Sequence, residues 1–188
     1  MKKTLLLLIV CLMATANIYA QIRFKDFNFA WRYYITNDNN YEDATGSCYI
    51  QRDDNGTYWL LLIILSNNEN EIKNYYIPKN NLLFFKFNNG DIASLKCESI
   101  YKKLSTSKSR YCYFKLDSTT IENLKSHELV KMRWEAKEKI IDSNLVKDGL
   151  YKDGNFKLSI NMAIEKSDKR YNELLRQKKL KNNPLDGF

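Results

Sequence analysis

Two Asn-Gly pairs, at 55–56 and 89–90, constrain this chain more than any other local feature. Each lies between stretches in which apolar residues alternate or run continuously, and Asn and Gly both tolerate positive φ. Such a pair between two strand-like runs closes a hairpin through a two-residue type I′ turn. Taken as two-residue loops, the pairs also set a register. The first sets 47–53 against 57–65, so that Arg52 faces Trp59, Ile50 faces Leu61 and Cys48 faces Ile63. The second sets 82–88 against 91–101, so that Phe84 faces Leu95 and Leu82 faces Cys97. Residues 60–65 are apolar on both faces, as a central strand requires. Ala93, Leu95 and Cys97 share one face while Ser94, Lys96 and Glu98 share the other, the pattern of a half-buried strand.

The remaining segments extend this sheet. Residues 27–35 place Phe27, Phe29, Trp31, Tyr33 and Ile35 on one side of a strand, and the Asn-rich stretch 36–45 is a loop. A short strand is expected at 72–77, stopped by Pro78. Residues 110–116 form another, with Cys112, Phe114 and Leu116 facing inward. Asp117 to Thr120 are helix-capping types, and Thr119 with Glu122 fits a capping box for a short helix that carries Ile121 and Leu124 and ends near Ser126. Val130, Met132 and Trp134 alternate with Lys131, Arg133 and Glu135, so a strand returns. After a loop holding Asp148-Gly149 and Asp153-Gly154, residues 156–160 read as a last strand. Ile160, Ile164, Ser167, Tyr171, Leu174 and Leu175 then fall at helical spacing. They predict a C-terminal helix over 161–181, stopped by Asn182, Asn183 and Pro184, with Tyr171, Leu174 and Leu175 docked on the sheet. The fold class is α+β: a mainly antiparallel β-sheet of about seven to nine strands, one short internal helix and a C-terminal helix.

The N-terminus has a different character. Lys2 and Lys3 precede an uncharged apolar run over 5–13, and small residues end the segment at Ala16 or Ala20. This is the layout of a secretory signal peptide over 1–20. The apolar run is about half of the ~20 residues that a membrane span needs, so no transmembrane segment is expected after cleavage. Val10 before Cys11 lacks the small side chain that lipoprotein processing requires. Residues 21–188 suit one globular α+β domain, long enough to bury a core without disulfides.

Loss of Lys2 and Lys3 takes the balance from 30 basic and 22 acidic residues to 28 and 22. A basic surface can hold nucleic acid, anionic lipid or acidic polysaccharide. Lysines outnumber arginines 23 to 7, whereas groove readers depend on bidentate Arg, so nucleic acid is not the expected partner. The densest basic run, 176–181, reads as the solvated end of the C-terminal helix, where cations offset the macrodipole.

The sequence LLFFKFNNGD at 82–91, continued by 92–95, resembles the strand–turn–strand of many uncharacterised secreted Bacteroidetes proteins. So does 114–135, a strand followed by LDSTTIENLK and a strand reading VKMRWE, as does the small residue followed by Gln at the cleavage point. The resemblance implies export and an α+β fold, and it carries no activity.

Candidate chemistry is sparse. His127 is the only histidine; it follows the short helix beside Ser126 and Glu128, and no Gly-x-Ser-x-Gly nucleophile motif accompanies it. Cys48, Cys97 and Cys112 fall on inward faces. They form no CxxC pair, and one His cannot complete a Cys₂His₂ zinc site. They read as buried thiols that pack like small hydrophobes. Oxidation of one pair after export stays open, because Cys97 and Cys112 lie on consecutive strands. Asp142, Asn144 and Asp148-Gly149 imitate part of a calcium loop without its terminal Glu. Asp53 and Asp54 point to opposite faces if both lie on a strand, which disqualifies them as a glycosidase pair.

No catalytic, cofactor-binding or metal residue is therefore assigned, and no cofactor is implied. The expected function is that of an exported, non-enzymatic domain, periplasmic or extracellular. It would bind or assemble with an envelope or extracellular macromolecule, protein or glycan. The alternative is a glycan- or peptidoglycan-directed hydrolase drawing carboxylates from separate strands. A deep polar cleft with facing carboxylates would favour the hydrolase, and a shallow surface would favour binding. N-terminal sequencing of the secreted protein should begin at Gln21, or at Asn17 if cleavage follows Ala16; an intact Met1 in the membrane fraction would contradict export.

Overall fold

The structure, a computed structural model, describes residues 28–36, 42–66, 72–101, 109–137, 139–144 and 156–182. Residues 1–20, which the sequence reads as a leader, and the Asp-Gly pairs at 148–149 and 153–154 lie outside the described residues. The strands are β1 (Asn28–Thr36), β2 (Glu42–Arg52), β3 (Tyr58–Ser66), β4 (Leu82–Phe87), β5 (Ile92–Tyr101), β6 (Ser109–Leu116), β7 (Leu129–Glu135) and β8 (Ile140–Asn144). Helix α1 (Ser118–Ser126) follows β6, and helix α2 (Phe156–Asn182) follows β8. The strands form one sheet in the order β1-β2-β3-β6-β5-β4-β7-β8. Every neighbouring pair is antiparallel. This is an α+β fold with the short internal helix and C-terminal helix expected. The sheet curls until β1 approaches β8, and α2 packs against β1, β2 and α1.

Both Asn-Gly hairpins form, but each register differs by one residue from that of a two-residue loop. Ile50 faces Leu60 and Cys48 faces Leu62; Leu83 faces Leu95 and Phe85 faces Ala93. The loops hold three residues. Gly56 N–H donates to the Asp53 carbonyl at 3.0 Å while Asp53 N–H donates to Thr57 at 2.8 Å. Gly90 and Phe87 repeat the arrangement with Asp91. Only the glycines, at φ 87° and 93°, are left-handed here, and Asn55 and Asn89 are not. This is a type I turn followed by a left-handed glycine that forms a bulge. Side chains reinforce it: Asp53 Oδ1 accepts the N–H of Asn55 and of Thr57, each at 2.9 Å, the local bonding that makes Asp and Asn turn formers. One face of β4 thus turns inward through Leu83, Phe85 and Phe87, all buried, rather than through Phe84.

Other boundaries also move. Residues 72–77 are not a strand but a 3-10 turn at Ile72–Asn74 and an irregular strap. Ile72, Tyr75 and Ile77 of the strap are buried. Ile72 O accepts from the Tyr75 and Tyr76 N–H groups, while the Tyr75 and Ile77 carbonyls are satisfied by side chains instead of a strand ladder. Trp134 Nε1 donates to Tyr75 O at 2.8 Å, and the thiols of Cys97 and Cys112 reach Ile77 O at 3.6 and 3.7 Å. A buried backbone acceptor needs a partner but not a particular one, which is why apolar spacing alone misassigns this segment. Residues 156–160 begin α2 instead of forming a strand, and the final strand is β8, which the sequence reading leaves as loop. Helix α1 is capped by Asp117, whose carboxylate accepts Thr120 N–H at 2.7 Å, and not by a Thr119–Glu122 box. A register shift between Phe29 and Trp31 interrupts the even alternation expected of β1.

The inner face carries the core. Leu60, Phe85, Phe114, Met132 and Trp134 are fully buried, with Ile121 and Leu124 of α1 packed against them. Each such side chain contributes about 1.5–3 kcal/mol relative to exposure. Ile160, Ala163 and Ile164 bring α2 into the same core. Buried Ser167 Oγ lies 2.8 Å from Ala163 O and 3.2 Å from Ile50 O, bridging helix and β2. Beyond it the docking is polar. Arg52 Nη1 donates to Asp168 at 3.1 Å and Arg52 Nε to Gly56 O at 2.9 Å. Its guanidinium lies 4.1 Å from the Tyr171 ring centroid and 5.0 Å from that of Tyr58. Tyr58 donates its hydroxyl to the same Asp168 carboxylate. Burial first, then this bond, pushes the Tyr58 hydroxyl well above its ordinary pKa. Leu175, expected to dock, is 37% exposed, because the clamp ends the seated part of the helix one turn earlier.

Two glycine substitutions separate turn geometry from helix docking. A Cβ at Gly90 meets nothing within 4 Å, whereas one at Gly56 lies 2.8 Å from Tyr171 Oη. Gly90→Val should lower stability by ~1–3 kcal/mol from positive φ alone. Gly56→Val should cost more, because it also displaces Tyr171 from Arg52. Denaturant midpoints check the order; equal losses at both positions would contradict the clamp.

Candidate binding groove

Strand side chains alternate between faces, so the register that buries Leu83, Phe85 and Phe87 turns Leu82, Phe84 and Lys86 outward. Pairing then builds rows on the outer face. Ser94, Phe84, Arg133 and Asp142 lie side by side across β5, β4, β7 and β8. In the next row Ile92 faces Lys86, Lys86 faces Lys131, and Lys131 faces Asn144. Phe84, Lys86, Ile92, Lys131 and Arg133 line an open groove of about 330 Å³. Its floor is the half-buried Phe84, and one rim is Ile92, which is 64% exposed.

Charge is unbalanced there. Lys86 and Lys131 are direct cross-strand partners, an arrangement that destabilises a sheet when both charges are alike. One carboxylate serves the row: Asp142 takes a bidentate pair from Arg133, 2.6 Å at Nε and 2.9 Å at Nη2, and lies 3.2 Å from Lys131 Nζ. Among the described residues no carboxylate pairs with Lys86. The Arg133 hydrogen bonds hold the Asp142 carboxyl below the usual carboxylate range, with Lys131 adding to the effect against a desolvation that opposes it. Three cations around one anion, over an aromatic floor, can receive an anionic group attached to an apolar body.

The residues weighed in the sequence lie elsewhere or serve other ends. His127 is the C-cap of α1, its N–H donating to Asn123 O at 2.9 Å. Asp53 spends both oxygens on its turn and on Trp59 Nε1, at 2.9 Å; Asp54 is an exposed loop residue. Of the calcium-like set, Asp142 is committed to Arg133 and Lys131, and residues 148–149 lie outside the described residues. Among the described residues no three metal-ligating side chains converge. Cys48, Cys97 and Cys112 are buried thiols. Arg176, Lys178 and Lys179 are exposed, as expected of a solvated helix end, with Lys178 Nζ 3.4 Å from Asp54 O. The other half of the outer face, on β2, β3 and β6, carries half-buried Tyr49, Trp59, Tyr111 and Tyr113. The groove itself is not evident from the sequence. Its signal, the alternation of Lys131 and Arg133 with Met132 and Trp134, was visible, but which strand faces it was not.

No protein-family model, curated protein or solved structure matches this chain. Among the described residues no helix is long and apolar enough to cross a membrane.

The carboxylate at the groove gives a titration test. A depressed folded pKa stabilises the ionised pair above the ordinary carboxylate range, and that contribution is lost as pH falls through the folded value. With a side chain 42% exposed, Asp142 contributes little to global stability. Its side-chain NMR titration should nevertheless have a midpoint below 3.8, the unperturbed value, and Arg133→Gln should raise it. A midpoint unchanged by that substitution would remove Arg133 as the cause.

Proposed function

We propose that this is an exported, non-enzymatic domain that binds an anionic macromolecule of the envelope or extracellular space through the outer groove of β5, β4, β7 and β8. The observation that carries the reading is Lys86 set directly against Lys131, beside Arg133, with Asp142 of the adjacent row as the one carboxylate paired with these cations among the described residues. Bringing like charges together on a sheet face costs free energy, and an anion bridging them recovers it. Of the two partner classes, protein and glycan, the groove favours an acidic glycan. About 330 Å³ is at the small end of ligand sites and suits one or two sugar units. Phe84 offers its ring to a sugar's apolar face, and the cations take the carboxylates or sulfates.

The rival is hydrolysis by two carboxylates set across a sugar. Asp53 and Asp142 spend both oxygens on turn, indole or cation partners, and Asp168 Oδ1 accepts from Arg52 and Tyr58, which supports binding over catalysis. Export rests on the leader, with its basic head, short apolar run and small-residue end.

Titration with an oligogalacturonate, against a neutral oligosaccharide of equal length, tests the proposal. Wild-type affinity should fall steeply with salt. A Lys86→Gln, Lys131→Gln double variant should bind roughly tenfold or more weakly, and Asp142→Asn should bind more tightly because it releases two cations. Replacing Arg176, Lys178, Lys179 and Lys181 by Gln should change nothing. Equal binding by the double variant would sink the assignment, and release of new reducing ends would move the reading to the hydrolase.

A further inference from the structure

The groove leaves one chemically distinctive pair unused. Cys97 on β5 and Cys112 on β6 are both fully buried, and their strands are neighbours. The register skips between Cys97 and Ser99, so that Cys97 stands opposite Phe114 while Ile100 stands opposite Cys112. A bulge of this kind bends and twists its strand, which here turns the two inward side chains toward one another. Both sulfurs converge on a single atom, the Ile77 carbonyl oxygen, at 3.6 and 3.7 Å. The neighbouring Cys97 thiol, then burial, pushes the Cys112 thiol well above its ordinary range. Cys48, on β2, lies two strands away from β6 in the sheet and shares neither contact.

We propose that Cys97 and Cys112 form a disulfide when the chain folds in an oxidising compartment, leaving Cys48 as a thiol. The reaction needs a disulfide-bearing oxidant, a protein dithiol–disulfide carrier or a small-molecule disulfide. One thiol gives up its proton and attacks the carrier's S–S bond; one carrier sulfur leaves and takes that proton. The second thiol gives up its proton and attacks the mixed disulfide, releasing the other carrier sulfur as a thiol. One S–S bond forms and one breaks; the cysteine pair loses two electrons and the carrier gains them. Exchange precedes burial, since neither sulfur is reachable in the closed core, and protons leave a thiol more readily in water than in an apolar interior. The bond closes the 97–112 loop and secures β5 to β6 beside the strap.

The full chain is unfolded, reduced and refolded in a buffer of reduced and oxidised glutathione, then alkylated in denaturant and mapped by mass spectrometry. This design does not depend on whether the leader is cleaved or on any ligand of the groove. Cys97 and Cys112 should remain unlabelled and appear as one cross-linked peptide, 2 Da lighter than the reduced pair, while Cys48 takes the label. The denaturation midpoint should drop when reductant is added, the drop should persist in Cys48→Ala, and it should vanish in Cys97→Ser. Label on both Cys97 and Cys112, or a bridge from either to another cysteine, would overturn the proposal.

Discussion

The whole arrangement rests on where two glycines place the chain. In an antiparallel hairpin one extra loop residue changes which side chains stand opposite one another, and with a side-chain period of two that change exchanges the faces of one strand relative to the other. The left-handed Gly56 and Gly90 accept the bulge position that L side chains resist, so each loop closes with three residues. The inner face of β4 then becomes Leu83, Phe85 and Phe87 instead of Phe84. The same step turns Lys86 outward, where the separate pairing of β4 with β7 sets it against Lys131. Core and groove both depend on that parity of β4.

Around that sheet, side-chain donors take the place of ladder bonds at two places where the chain packs over the core. The strap over 72–77 is held by the Trp134 indole and by two thiols. The end of α2 is held by Arg52, sandwiched between Tyr58 and Tyr171 and bonded to Asp168 and to the β2–β3 turn. Partly exposed ion pairs contribute little by themselves. Here the cation is also stacked and the carboxylate also accepts from a tyrosine, so the cluster orients the helix more than it stabilises it. These groups resemble a reactive constellation in composition, yet Arg52, Tyr58 and Asp168 are bonded to one another in docking the helix.

The outer face divides into an aromatic half and a cationic half. Tyr49, Trp59, Tyr111 and Tyr113 occupy β2, β3 and β6, whereas Lys86, Lys131 and Arg133 occupy β4 and β7. The net positive charge visible in the composition is therefore not evenly spread. The basic end of α2, which draws attention in the sequence, points into solvent, while the cations that share a ligand-sized concavity come from two strands far apart in the chain.

Much of the fold was legible because its causes are local. Alternation marked most strands, Asn-Gly marked both hairpins, and helical spacing of Ile160, Ile164 and Ser167 marked α2 with the face it buries. Errors arose where local pattern admits two answers. A short apolar run is compatible with a strand or a strap at 72–77, and with a strand or a helix start at 156–160. An Asn-Gly pair is compatible with two loop lengths. Of the groove, the sequence held the residues and the parity of Lys131 and Arg133, but nothing in it says that β7 lies beside β4 and not beside β6, which precedes it in the chain. By itself the amino-acid order determined most of the strands, the existence of both hairpins and the buried face of α2, since these depend on neighbours within a few residues. Only the tertiary structure decided strand order, the opposition of Lys86 and Lys131, and the convergence of Cys97 and Cys112 on Ile77. Those depend on long-range packing, in which free energies from distant segments compete.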